Sequence, residues 1–311
     1  MSKTGEKAAA PARRIRRCRE DVIYDAVIFV ILTLLLIVVA YPLWWVVISS
    51  ISDPAAVSAG KVLWRPVGFT LKGYAEVFKD MQVMRGFVNS VLYTVCGVAV
   101  NLAVTLPTAY ALSRDRFSGR KAITFFYVVT MFFSGGMIPT YLVVKNLGML
   151  NTMWSLILPG CLSVYNMIVA RTFFKTNISE ELYEAAEIDG CSHGRFFFSI
   201  ALPLSASIIA ILVLYYGVAQ WNAYFSALLY ISDQDKYPLQ LVLRNILITN
   251  QNALSQTATT AQARAALRET QELINVMKYS LIIISSIPVL LLYPFVQKHF
   301  VKGVMIGSVK G

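Results

Sequence analysis

The sequence has few charged residues and no motif for nucleotide binding. Only 14% of its 311 residues are Asp, Glu, Lys or Arg, whereas 57% are hydrophobic. The phosphate loop G-x-x-x-x-G-K-[ST], which cradles nucleotide phosphates in many ATPases, does not occur. We therefore expect a protein that is not an enzyme, hydrolyses no ATP itself and carries no cofactor. The composition is typical of a polytopic membrane protein.

Cysteine and histidine are also scarce. The four cysteines do not pair at metal-ligand spacing, and the two histidines, His193 and His299, are far apart in the sequence. We therefore predict free thiols and no metal site. No Ser/His/Asp arrangement and no pair of carboxylates lies at a membrane boundary, which argues against a membrane-embedded enzyme.

Ionisable residues are absent from the middle of the apolar stretches. A proton-coupled secondary carrier normally needs such a residue as its ion site, and it usually has repeated halves, which we do not find. Each apolar stretch is long enough to cross ~30 Å of hydrocarbon as a helix. The stretches lie at residues 26–49, 88–112, 123–144, 154–173, 200–221 and 277–297. The sequence thus predicts an all-α polytopic membrane protein with six transmembrane helices.

Basic residues are concentrated in three segments beside these stretches, at 13–19, 114–121 and 298–310. Because an excess of Lys and Arg marks cytoplasmic segments, we predict that both termini are cytoplasmic. The net charge of +11 then comes mostly from membrane flanks, which face anionic lipid. The N-terminal arginines have no aromatic residues among them, so we expect no binding of nucleic acid.

The most specific segment is EAAEIDGCSHGRFFFSIALPL at residues 184–204. It predicts a short helix that begins with Asn177 and Glu180 as a capping box and ends near a glycine free to adopt positive φ. Two adjacent alanines would let another protein approach closely, and carboxylates would surround the contact. The residues at characteristic spacing are Glu184, Ala185, Ala186, Asp189, Gly190, Phe198, Leu202 and Pro203.

That spacing resembles the EAA loop of permease subunits in bacterial ABC importers. The chain lacks two family prolines, one at Ser179 and one in the SAS run after Pro203. Four further runs resemble the carbohydrate-uptake class, and within it the second permease of lipoprotein-oligosaccharide and maltose-type systems. They are residues 131–159, 220–231, 237–247 and 300–311. The resemblance extends from about residue 24 to the end of the chain.

The resemblance implies the transmembrane fold of type I ABC importers and a set of partners. These are a second permease that forms a heterodimer with this chain, two ATPase subunits that use ATP, and an extracytoplasmic solute-binding protein. Residues 180–204 would dock the ATPase, with Glu184 paired to a basic ATPase side chain. The implied function is import of a sugar, specifically an oligosaccharide, across the bacterial cytoplasmic membrane.

Alternative functions stay open at this point. An ABC permease for an amino acid or a peptide shares the EAA loop, and a secondary carrier is a more distant alternative. Substrate contacts are predicted at Trp221, Asn222, Tyr224 and Phe225, since aromatic faces and an amide suit sugars. The competing interpretation of these four residues is an aromatic belt at the membrane interface.

The predicted organisation has four parts. A cytoplasmic basic arm (1–24) precedes the first transmembrane helix and an outer loop (25–86). A core of five transmembrane helices (87–297) contains the EAA loop (177–204), and a cytoplasmic tail follows (298–311). Within the core we predict that Gly135 and Gly136 serve close helix packing. The run at 237–247 is predicted to be a short interfacial helix, and the polar stretch that follows it to be a helix or a loop.

Overall fold

The computed structural model describes residues 19–253 and 261–308, and these residues form helices and turns without a β-strand. The all-α class is therefore confirmed. The predicted arm arginines at 13–17, Cys18 and Lys310 lie outside the described residues. The α-helices are α1 (Arg19–Ser50), α2 (Pro54–Ser58), α3 (Lys72–Lys79), α4 (Met81–Ser113), α5 (Arg120–Phe132), α6 (Met137–Asn146), α7 (Trp154–Ile157), α8 (Val164–Asn177), α9 (Glu180–Ile188), α10 (His193–Phe196), α11 (Leu202–Leu204), α12 (Ala206–Trp221), α13 (Tyr224–Tyr230), α14 (Leu239–Ala253) and α15 (Ala261–Ser308).

Three of the predicted spans are continuous helices. Helices α1 and α4 and the Gln271–Pro294 part of α15 are each long and apolar enough to cross a membrane. The other three are helix pairs bent at a short break. The bend is 114° between α5 and α6, 55° between Trp154–Gly160 and α8, and 81° between His193–Leu204 and α12. The chain has six spans if each bent pair crosses the membrane once.

Local backbone chemistry explains two of the bends. Gly136, at the α5–α6 break, has φ 86°, a conformation that glycine adopts without steric cost. The predicted packing role of Gly135 and Gly136 is wrong within the described chain. A Cβ at Gly136 would meet nothing within 4 Å, and one at Gly135 would meet only Pro139, at 3.9 Å. Pro159 lies in the turn Leu158–Gly160, directly before the second bend. The third bend occurs at Ser205, between α11 and α12. It forms here without the proline that the resemblance places after Pro203.

Helix α4 lies at the centre of the bundle, where it packs against α8, α12 and α14, and α15 packs against α1, α3, α12 and α14. The approach of α3 to α15 is close, since a Cβ on Gly73 would lie 2.6 Å from the side chains of Val276 and Ser280. A small residue in that position lets two helices pack without a gap, as is common between membrane helices.

The run at 237–247 is not an interfacial helix. It forms the start of α14, and Leu239, Leu241 and Val242 are at most 2% exposed. They pack in the bundle interior because α14 lies against both α4 and α15. Helix α15 is likewise longer than the predicted span 277–297. It begins at Ala261, within the polar stretch, and continues to Ser308, so the predicted tail is helical over its described residues.

Candidate functional site

Helix α9 begins with a serine cap. The Oγ atom of Ser179 accepts a hydrogen bond from the backbone N–H of Leu182 at 3.3 Å, which satisfies one of the free donors of the first turn. The predicted capping box is wrong: Asn177 ends α8 and donates its side-chain amide to the carbonyl of Phe173 at 3.0 Å. Ser179 thus supplies a start signal at the position where the family has proline.

A pair of backbone hydrogen bonds ends the same helix. Gly190 has φ 76°, and its N–H donates to the carbonyl of Glu187 at 3.0 Å. The next N–H, of Cys191, donates to the carbonyl of Ala186 at 2.9 Å. This arrangement is the Schellman motif, in which a left-handed residue lets the chain satisfy the last carbonyls. The position of Gly190 agrees with the expectation from the sequence.

One face of α9 is buried against the protein's own core. Tyr183 is 3% and Ala186 is 9% exposed, and they share a face because they are three residues apart. The Tyr183 ring stacks on His193 with centroids 5.0 Å apart and meets Phe196 edge-on at 5.1 Å. The expectation that both alanines face a partner is therefore wrong for Ala186, which anchors the helix.

The opposite face of α9 is exposed and partly apolar. Leu182, Ala185 and Ile188 lie at successive three-residue intervals, and Ile188 is 87% exposed. Small Ala185 lies between two larger apolar side chains, so this strip presents a shallow surface that another protein could cover. Of the other predicted docking residues, Pro203 is exposed, whereas Leu202 packs partly against the core cluster around α9.

Glu184 has a partner within the chain. Its Oε1 atom lies 2.9 Å from Nη2 of Arg116, and Oε2 of Glu187 lies 2.8 Å from Nη1 of the same guanidinium. These hydrogen bonds raise the pKa of Arg116 above its usual value, and the bond to Glu187 has the largest effect. The predicted pairing of Glu184 with a basic side chain of another protein must therefore compete with Arg116, which the sequence analysis missed.

Trp221 is neither a substrate contact nor part of an interfacial belt. It is 4% exposed, its Nε1–H donates to the carbonyl of Ser285 at 2.9 Å, and its ring meets Phe87 edge-on at 5.9 Å. Both alternatives require an accessible ring, so the prediction is wrong here. The residue instead joins α12 to α15 and α4 inside the bundle.

The three other predicted substrate contacts lie on the surface. The Asn222 amide donates to the carbonyl of Val218 in its own helix, at 2.9 Å. Tyr224 and Phe225 are 44% and 53% exposed and contact each other edge-on, with centroids 6.4 Å apart. None of the three contributes to the polar cleft described next.

A polar cleft of about 420 Å³ opens between α4, α7 with the turn that follows it, α8, α12 and α13. None of its lining residues carries a charge at neutral pH, but many are polar. The lining consists of Asn101, Ser155, Leu156, Pro159, Gly160, Ser163, Asn166, Tyr216, Ala219, Gln220, Ala223, Ser226 and Tyr230. The volume is within the range of small-molecule sites, and amides, hydroxyls and tyrosine rings are suited to a neutral, hydroxylated solute.

The cleft lies well inside the length of the helices that line it. Along the helix axis, at 1.5 Å per residue, Asn101 is ~18 Å from the C-terminal end of α4, and Asn166 is ~16 Å from the C-terminal end of α8. Both distances are about half of a ~30 Å hydrocarbon layer. An uncharged polar group inside an apolar layer costs free energy when it has no hydrogen-bond partner.

Some polar side chains of the cleft have hydrogen-bond partners within the protein, and others do not. With its amide nitrogen turned toward them, Asn101 donates to the carbonyls of Gly97 and Cys161 at 3.0 and 3.3 Å. The Tyr216 hydroxyl contacts Thr105 Oγ1 at 2.6 Å. In contrast, the Asn166 amide and the Ser226 hydroxyl form no side-chain hydrogen bond within the described part of the chain.

The Gln220 amide has only a 3.5 Å contact with the carbonyl of Leu156. The cleft therefore offers unused donors and acceptors to a ligand. The sequence contained a signal for these residues that was not used. Asn101, Asn166 and Gln220 are uncharged polar residues inside three different predicted spans, and such residues are uncommon at those positions.

The comparisons with known proteins agree with these features. Residues 19–306 match the family described as "Binding-protein-dependent transport system inner membrane component". A polygalacturonan/rhamnogalacturonan transport system permease, YtcP of Bacillus subtilis (strain 168), is 39% identical and covers 93% of this chain and 99% of the relative. LplC of the same organism is 42% identical over 87% of this chain and 89% of the relative.

A solved structure of a related transporter is also similar to this chain. A chain of a bacterial ABC transporter involved in the import of the acidic polysaccharide alginate superposes with a TM-score of 0.82. It is 31% identical and the match covers 91% of this chain and 99% of that chain. The family match spans nearly the whole sequence, as do these relatives. The chain belongs to the family of inner-membrane permease components of binding-protein-dependent transport systems.

Proposed function

We propose that this chain forms one half of the membrane pathway of an ATP-driven importer for an oligosaccharide. The observation that carries the proposal is the uncharged polar cleft between the helices, where Asn166 and Ser226 form no side-chain hydrogen bond within the described chain and Gln220 has only a 3.5 Å contact. Relatives named for polygalacturonan and alginate support a saccharide as the cargo. The lining lacks an ionised group, which a proton-coupled carrier would need.

The exposed face of α9 is the site that couples this chain to ATP. A separate ATPase would cover the strip formed by Leu182, Ala185 and Ile188, while Tyr183 and Ala186 hold the helix to the permease core. Closure of the ATPase dimer on ATP would move α9 as a rigid body and change which side of the membrane the cleft faces. This chain transmits free energy and hydrolyses nothing.

The proposed assembly contains this chain, a second permease, two ATPase subunits and an extracytoplasmic binding protein that delivers the sugar. The second permease would complete the pathway. The complex would lie in the cytoplasmic membrane among lipids, which suits the apolar exposed surface of α1.

The substrate is tested by uptake into vesicles that contain the complete complex. We expect ATP-dependent uptake of a radiolabelled oligosaccharide only when the binding protein is present. Cells that lack this chain should lose growth on that oligosaccharide and keep amino-acid and peptide uptake. Neutral oligosaccharides and oligogalacturonides should be assayed side by side, since the cleft itself holds no charge. Loss of amino-acid or peptide uptake with every sugar spared would show that the saccharide assignment is wrong.

The proposed orientation predicts which thiols are accessible. Cys191 lies just beyond α9, so a single-cysteine variant should be protected from a membrane-impermeant maleimide in intact cells and should label in inverted vesicles. Lys61→Cys, in the exposed outer loop, is the matched control with the opposite pattern. If Cys191 labels from outside, both the topology and the docking of an ATPase on α9 are refuted.

A further inference from the structure

Three consecutive residues after α4, Arg114, Asp115 and Arg116, contact α9 and the turn before it. We call residues 114–116 the arginine loop. Arg116 bridges Glu184 and Glu187, and the carbon of its guanidinium lies 5.9 Å from the Tyr183 ring centre. The arginine loop thus contacts α9 along the length of the helix, on the side next to the buried face of α9.

The first half of the arginine loop holds the start of α9. Arg114 donates to the carbonyl of Ile178 at 3.2 Å and lies 3.7 Å from Glu180 Oε1. The same carboxylate oxygen accepts a hydrogen bond from the backbone N–H of Asp115 at 3.2 Å. Only 10% of the Arg114 side chain is exposed, and its guanidinium lies over the Tyr110 ring at 4.8 Å. These contacts join the last turn of α4 to the first turn of α9.

Arginine is well suited to the second contact. Glu184 and Glu187 are three residues apart, so their side chains project from the same region of the helix. A planar guanidinium has several donors in fixed directions and can bind both carboxylates at once, whereas a lysine ammonium acts as a point charge. The observed distances of 2.9 and 2.8 Å use both terminal nitrogens of Arg116.

The contact matters because α4 also lines the cleft. Asn101 of α4 lies in the cleft wall, and Arg114 follows directly after the last residue of the helix. Helix α8, which also lines the cleft, is connected to the same end of α4, since Arg171 Nε donates to the carbonyl of Leu112 at 2.9 Å. A displacement of α9 therefore reaches two walls of the cleft, one through the chain itself and one through the arginine loop.

We propose that Arg116 is a positioning residue that makes α9 and α4 move together, so that motion imposed on α9 is transmitted to the cleft. Glu184 and Glu187 hold Arg116 against α9, and the exposed strip of Leu182, Ala185 and Ile188 lies beside this contact as the surface for the ATPase. The inference rests on the proposed function, in which α9 is the docking helix.

The test is the number of sugar molecules imported per ATP hydrolysed by the complete complex in proteoliposomes. Arg116→Ala should leave ATPase subunits bound and ATP hydrolysis active, but should lower this ratio about threefold to tenfold, because two half-exposed ion pairs are lost. Arg116→Lys should recover part of the ratio. The exchanged variant R116E/E184R should recover more, since its new guanidinium faces both Glu187 and the carboxylate introduced at 116.

Lys121→Gln is the matched control, because it removes one positive charge from the same cytoplasmic segment at an exposed position. It should leave the ratio unchanged. An unchanged ratio in Arg116→Ala would overturn the proposal. Loss of bound ATPase from Arg116→Ala would also overturn it, since Arg116 would then belong to the ATPase contact. Failure of the unaltered chain to bind any ATPase is a separate result, and it would refute the proposed function.

Discussion

Gly190→Pro is expected to abolish sugar uptake while the protein still inserts into the membrane. Gly190 has φ 76°, whereas the proline ring fixes φ near −65° and removes the N–H that bonds to Glu187. The Schellman motif would be lost, and α9 would no longer end where the chain turns toward Ser192. The measurements are co-purification of the ATPase and uptake by cells that express the variant.

Two milder variants make the test specific. Gly190→Ala keeps the N–H but places a side chain at positive φ, which costs ~1–2 kcal/mol, so uptake should fall without disappearing. Gly194→Ala is the matched control, since Gly194 lies four residues on, without positive φ and with open space around it. Normal uptake with Gly190→Pro would show that the geometry of this turn is not needed for coupling.

Asn166→Leu combined with Gln220→Leu is expected to lower sugar uptake roughly tenfold or more. Each replacement removes an amide that faces the cleft without a strong partner in the protein. A hydrogen bond to the ligand is worth ~0.5–1.5 kcal/mol, and the two losses together approach or exceed the 1.4 kcal/mol that corresponds to tenfold. The ATPase should remain bound, because both residues are far from α9.

Asn222→Leu is the matched control for the cleft variants. It removes the same kind of side chain from the end of α12, but its amide lies outside the cleft and bonds to Val218 of its own helix. Uptake should therefore be close to normal. Equal loss of uptake in the control and in the double variant would mean that the cleft is not the sugar pathway.

The sequence alone was sufficient for the fold class and for the position of the turn that ends α9. A long apolar stretch predicts a membrane helix because a helix forms its backbone hydrogen bonds within one segment, as hydrocarbon requires. The six such stretches correspond to the three helices and three bent pairs found in the described chain. The turn that ends α9 was also predictable. A glycine after a short helix marks a left-handed residue, and Gly190 has that conformation.

Tertiary structure decided which face of each helix is buried and which side chains meet across the chain. Hydrophobicity could not separate Trp221, which is buried in the bundle, from Tyr224, which is exposed, since both suit a membrane interface. Nor could hydrophobicity separate Ala186 from Ala185, since the two residues are identical. Adjacent helical residues point in different directions, and the packing of α9 decides which of the two is buried. The pairing of Arg116 with Glu184 joins residues 68 positions apart, and only the packing of α4 against α8 brings them together. The cleft arises in the same way: its polar groups come from separate parts of the chain and line one cleft only when five helices converge.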